Sequence, residues 1–158
     1  MHALENAVEQ HPDYHGMRIV DAVDFAAEHF LGVLEIEPTL ESVVVHPTCS
    51  STRAGSNGNL AAVASVVAGS VTVPDDWGCC AFAGDRGMLH PELTASATSR
   101  EAAEVGASEY DAYVSCNRTC EIGMTRATGH PYRHILEVLD AASSAPTRPL
   151  GNQGESHA

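Results

Sequence analysis

The sequence predicts an α/β fold: a small parallel sheet of three or more strands, with helices packed on it and cysteine loops at the carboxyl ends of the strands. Three observations carry that expectation. Apolar residues recur at helical and at strand spacing in alternating segments. The order is one helix followed by three strand–helix units, and such units build parallel sheets with covered faces. All five cysteines fall at or just after the predicted strands.

The elements follow from local chemistry. GMRIVDAVDFAAEHFLGVL (16–34) places Ile19, Val23, Ala26, Ala27 and Phe30 along one stripe of a helix. ESVVVHP (41–47) is a β-branched run ended by proline, hence a strand. NGNLAAVASVVAG (57–69) reads as a helix opened by Asn57 and stopped by Gly69, and SVTVP (70–74) as a second strand. HPELTASATSREAAEVG (90–106) is a helix with Pro91 in its first turn and Gly106 beyond its end. YDAYVSC (110–116) is a third strand. HPYRHILEVLDAAS (130–143) is a last helix with Tyr132, Ile135, Leu136 and Leu139 on one face. Residues 1–16 read as an extension, 17–142 as one domain, and the polar, Pro- and Gly-containing 143–158 as a disordered tail.

The chain's 158 residues suit a single core. Its 21 acidic residues face only 8 basic ones, all arginine, for a net charge of −13. That field repels phosphate backbones and anionic lipid, so neither nucleic-acid binding nor membrane-surface binding is expected. Residues 1–41 hold nine Asp and Glu against Arg18 alone, which reads as a solvated helix face, with a docking surface for a basic partner as the alternative. The opening MHALENAVEQHPDYH has no basic start and no apolar run, and no segment approaches the ~20 apolar residues of a span. The expectation is a cytoplasmic chain without membrane insertion. An odd set of cysteines there argues for metal binding or redox chemistry rather than a disulfide scaffold.

Cys49 follows the strand 42–46, Cys79 and Cys80 follow 70–73, and Cys116 and Cys120 lie at and beyond the end of 111–115. A parallel sheet brings these loops to one edge, where open α/β folds bind ligands. Adjacent Cys79 and Cys80 suit neither a zinc knuckle nor an unstrained disulfide. They suit a vicinal redox disulfide, or a cluster of several metal ions that takes sulfur from two directions. Each cysteine loop leads into a helix, whose free N–H groups lower thiol pKa values.

Arg53, Arg86 and Arg118 stand one per loop as counter-charges. Nine histidines show no metal-ligand spacing: Pro12 separates His11 from His15, and His130 and His134 flank the start of the last helix. His46, three residues before Cys49, is expected to hydrogen-bond a cluster sulfur. A phosphate loop is excluded in a chain without lysine. A nucleophilic pair of Cys79 or Cys80 with His46 or His90 is conceivable, but nothing singles out one cysteine.

HPTCSS, WGCCAFAGDRGMLHPELTASATSREAAEVGA and SCNRTCEIGM together resemble the cysteine-rich CCG domain. That domain occurs in the B subunit of heterodisulfide reductase, the iron-sulfur subunit of glycolate oxidase and the carboxyl end of FAD-linked D-lactate dehydrogenases, and the likeness is strongest to the last. The resemblance covers roughly 17–142. It implies a 4Fe-4S type iron-sulfur cluster for electron transfer, held by Cys49, Cys79, Cys80 and Cys120. It further implies a C-terminal fragment or split-off module, served by flavin and ferredoxin-like domains of a parent protein or partner subunit that would carry the FAD.

Two departures stand out. Asn117 occupies the position a CxxC ending would use, which leaves Cys116 as an outlying fifth ligand. Ala81 replaces the motif's glycine, at a cost of ~1 kcal/mol if the site needs positive φ. Two other functions fit the same cysteines: a zinc-binding structural or adaptor domain, and a thiol-disulfide module using Cys79 and Cys80.

Overall fold

The computed structural model describes residues 2–14 and 16–144. The chain runs α1 (His2–Gln10), a 3-10 turn (Pro12–Tyr14), α2 (Ala22–His29), β1 (Glu35–Ile36), β2 (Leu40–Val45), α3 (Cys49–Ala54), α4 (Asn57–Val67) and β3 (Ala68–Thr72). It continues with α5 (Arg86–Leu89), α6 (Pro91–Val105), β4 (Ala112–Ser115), α7 (Arg118–Thr128), β5 (Tyr132–His134), α8 (Ile135–Ala142) and β6 (Ser143–Ser144). The fold is α/β, with a four-stranded parallel sheet ordered β3-β2-β4-β5. β1 and β6 pair separately as a short antiparallel ribbon. Most of the tail expected over 143–158 lies outside the described residues, as does His15. No helix among the described residues is long and apolar enough to cross a membrane.

β2 is buried on both faces, as a central parallel strand should be. Val43 and Val45 point to one side with Ala112 and Val114, where α2, α4 and α8 contribute Val23, Leu60, Val63, Ile135 and Leu139. Val44 and Tyr113 point to the other, against Val105 of α6 and Met124 of α7. Alternation along the strand therefore supplies two hydrophobic layers, and the site is built where the sheet ends.

Several boundaries differ from the expected ones. The helix predicted from residue 16 begins at Ala22, because Asp21 is extended and its side chain accepts from the Val23 N–H at 2.9 Å. The helix over 57–69 ends at Val67, and Gly69 lies within β3. A Cβ there would come 3.3 Å from the Glu41 carbonyl oxygen of β2. The segment 130–143 is strand before it is helix. Pro131 disfavours a helical His130, Tyr132 pairs with Tyr113 in the sheet, and His134 caps α8 by accepting from the Leu136 N–H at 3.2 Å. α1, α3, α5 and α7 have no counterpart in the periodicity reading. α3 and α5 are short, and α7 is read only as a cysteine motif despite its Asn117 cap and left-handed Gly129 stop.

Candidate metal centre

The carboxyl edge of β2 and β4 positions the first groups. Beyond β2, the His46 N–H still donates to the Val114 carbonyl at 2.9 Å, and the Ser115 hydroxyl donates to the His46 carbonyl at 2.9 Å. Pro47 then ends the pairing and Thr48 caps α3. Its Oγ1 accepts from the Ser51 N–H at 3.0 Å, and Ser51 Oγ accepts from the Thr48 N–H at 3.0 Å. Cys49 is thus the first residue of α3. After β4, Asn117 Oδ1 accepts from the Thr119 N–H at 3.1 Å and starts α7, with Cys120 in its first turn.

The loop after β3 delivers the adjacent pair. Ala81 has φ 54°, Ala83 φ 46° and Gly84 φ 73°. The left-handed turn at Ala81 brings the Phe82 N–H onto the Cys80 sulfur, where it favours the thiolate. Alanine carries ~1–2 kcal/mol in this region. Ala81→Gly removes that strain but adds about 0.4–1 kcal/mol of unfolded-chain entropy. The expected net gain of about 0–1.6 kcal/mol raises the thermal midpoint by at most roughly 3–6 °C. A fall in that midpoint on calorimetry would count against the strain argument.

The five sulfurs divide into three groups. Cys80 Sγ and Cys120 Sγ lie 3.0 Å apart and buried, and a ring nitrogen of His46 shares a 4.8 Å grouping with both. Cys49 and Cys79 are exposed and close enough to share a hydrogen bond. The twin cysteines are therefore split, one facing inward and one outward. Cys116 is half-buried, packs against the core beneath α2, α4 and α8, and has Thr48 Oγ1 at 3.6 Å. It lies outside the 4.8 Å grouping of His46, Cys80 and Cys120, though near enough to help push the Cys120 thiol up.

Electrostatics single out Cys80. The Cys120 thiol hydrogen-bonds to it, and this gain, helped by His46 and the Phe82 N–H, outweighs burial and brings its pKa down to about 4. Sharing that proton pushes the Cys120 thiol far up, with burial adding to the effect. Cys49 is pushed up to about 11, first by Cys79 and then by burial. Burial raises Cys116 as well. For His46, burial pulls the pKa down, but Cys80 and Glu101 together outweigh it and leave it at about 9.

The arginines differ from one another. Arg118 Nη1 donates to Glu121 at 2.7 Å and its Nη2 lies 3.6 Å from Glu137, so its charge is engaged on α7 and α8. Arg53 and Arg86 are exposed and carry no ion pair among the described residues.

Glu101 and Phe82 belong to the site but carry no motif. Glu101 Oε1 lies 2.7 Å from His46 Nδ1, with both side chains almost wholly buried. One signal was available: Thr94, Thr98, Glu101 and Val105 form the buried stripe of α6, and a carboxylate on such a stripe requires a partner. Phe82 is fully buried and forms a small cluster with Cys80 and Cys120, flanked by Ile122. Gly87 and Gly123 make room for it: a Cβ on Gly87 would lie 2.5 Å from its ring, and one on Gly123 3.4 Å.

The donors fit a transition metal. Thiolates and imidazole are the ligands that zinc and iron centres select. His46 Nε2 is a buried nitrogen without a hydrogen-bond partner of ordinary geometry. Fold and site together define a class: a parallel α/β domain with a buried Cys–Cys–His group, able to hold a metal, at the carboxyl edge of its sheet. No protein-family model, curated protein or solved structure matches the chain.

Proposed function

We propose that this chain is the iron-sulfur electron-transfer domain of an FAD-linked dehydrogenase acting on a 2-hydroxyacid of the D-lactate or glycolate type. Cys49, Cys79, Cys80 and Cys120 hold a 4Fe-4S type cluster. The observation that carries this reading is the meeting of Cys80, Cys120 and His46 within 4.8 Å, from three loops far apart in sequence. The resemblance of the cysteine segments to the CCG domain supplies the enzyme class.

Oxidation of a 2-hydroxyacid to a 2-oxoacid releases two electrons and two protons to a flavin. The flavin and ferredoxin-like domains belong to the parent protein or a partner subunit. When bound, the cluster supplies one-electron storage between that flavin and the next carrier. The chain's own residues do the rest. Cys80 and Cys120 provide buried sulfur, Cys49 and Cys79 provide sulfur from the solvent side, and the Phe82 N–H hydrogen-bonds to Cys80.

Anaerobic reconstitution of the full chain with iron and sulfide tests the reading. Near-stoichiometric iron and acid-labile sulfide, with visible absorption that dithionite bleaches, is the expected result. Zinc at one per chain with no retained sulfide selects the zinc-binding domain instead, and sinks this reading.

A further inference from the structure

We infer that His46 is itself a metal ligand, through Nε2, and that Glu101 is the positioning residue that aims it. The inference rests on the reading of this site as a metal centre and changes its ligand set: a 4Fe-4S cluster offers one terminal position per iron, so His46 takes a position that one of the four cysteines would otherwise hold.

The His46 ring is fully buried. A carboxylate oxygen can only accept, so the 2.7 Å contact with Glu101 places a hydrogen on Nδ1. Nε2 is then the nitrogen left for the sulfurs: it has no hydrogen-bond partner of ordinary geometry, but it faces Cys80 closely enough for each group to shift the other's pKa. A buried polar atom left in that state loses its hydration without replacement, so a partner there is strongly favoured. A neutral ring would present a lone pair to two electron-rich sulfurs, so whatever lies between them has to be positive: a proton or a metal ion.

The geometry favours the metal. The nitrogen and the sulfurs of Cys80 and Cys120 lie within 4.8 Å of one another. The 3.0 Å between the sulfurs opens to about 3.8 Å when both bind one ion through bonds of about 2.3 Å at a tetrahedral angle. A carboxylate bound to the far nitrogen is the usual companion of a metal-bound histidine, because it sets the tautomer and holds the ring plane. Here that carboxylate comes from α6, 55 residues away. Among the described residues no other histidine is grouped with the sulfurs.

The test uses the full chain, labelled with 15N-histidine, reconstituted anaerobically with iron and sulfide, and reduced to its paramagnetic state. Pulsed electron paramagnetic resonance reads the nuclei bound to the metal. The expected result is an imidazole nitrogen coupling of ligand strength that disappears in His46→Cys, together with a lower reduction potential in that variant, since thiolate replaces a neutral ligand. If His46→Cys does not load, the labelled wild-type spectrum decides by itself.

Glu101→Leu is expected to weaken metal binding about 10- to 100-fold, with Glu101→Gln recovering most of it, because an amide oxygen still accepts from Nδ1–H. A loaded cluster with no imidazole coupling overturns the ligand assignment and leaves the iron-sulfur reading standing. A coupling that persists in His46→Cys overturns the assignment as well. Should the chain take zinc in place of iron, the cobalt(II)-loaded protein is measured the same way; nitrogen coupling there keeps the assignment while the iron-sulfur reading falls. Failure to bind any of these metals overturns both.

Discussion

Serine in place of Cys80 is expected to abolish metal retention, while serine in place of Cys116 leaves it intact. Cys80 is the sulfur on which the site converges: Cys120 lies 3.0 Å away, and His46 and the Phe82 N–H both stabilise its charge. A serine hydroxyl stays protonated where the thiol ionises, so the substitution removes a ligand rather than weakening one. The loss should exceed the roughly 10- to 100-fold that outer hydrogen-bond partners contribute. Cys116 is turned toward the core and Thr48. Its conversion to serine exchanges one half-buried small group for another. Metal per chain, measured after competition with a weak chelator and with circular dichroism as a check on folding, distinguishes the two variants. Equal losses in both would sink the division of the sulfurs described above.

Phe82→Ala should be the most damaging single change outside the ligands. The ring is fully buried between the Cys79–Cys80 loop and α7, with the Arg126 guanidinium 5.7 Å from its centroid. Truncating such a ring costs about 3–5 kcal/mol, a large share of the ~5–15 kcal/mol that holds a domain folded. The cavity would open beside Cys80 and Cys120, so metal retention should fall with stability. Urea unfolding measures the first effect and chelator competition the second. A midpoint within error of wild type would mean that the ring does not brace the loop.

Much of this molecule is legible in the sequence. The β-branched run at 43–45, the apolar stripe of 135–139 and the placement of cysteines after strands are local patterns. They are enough to predict a parallel sheet with its cysteine loops on one edge. His46 also draws notice because it ends a strand just before Cys49. α7 was legible too, through Asn117 and Gly129, but its cysteine motif masked the helical signal. β5 was hidden because HPYRHILEVL reads continuously as helix until the sheet claims Tyr132.

The sequence alone determined that this is a parallel α/β domain with its cysteines along one rim. Spacing, turn residues and crossover handedness act over short stretches of chain, or as rules of topology. Only the tertiary structure decided how the groups on that rim pair: Cys80 with Cys120 across 40 residues, His46 with Glu101 across 55, and Cys116 aside against the core. Such pairings depend on which helix packs over which strand end and on the room left by glycines such as Gly87, and neither is encoded in any one segment.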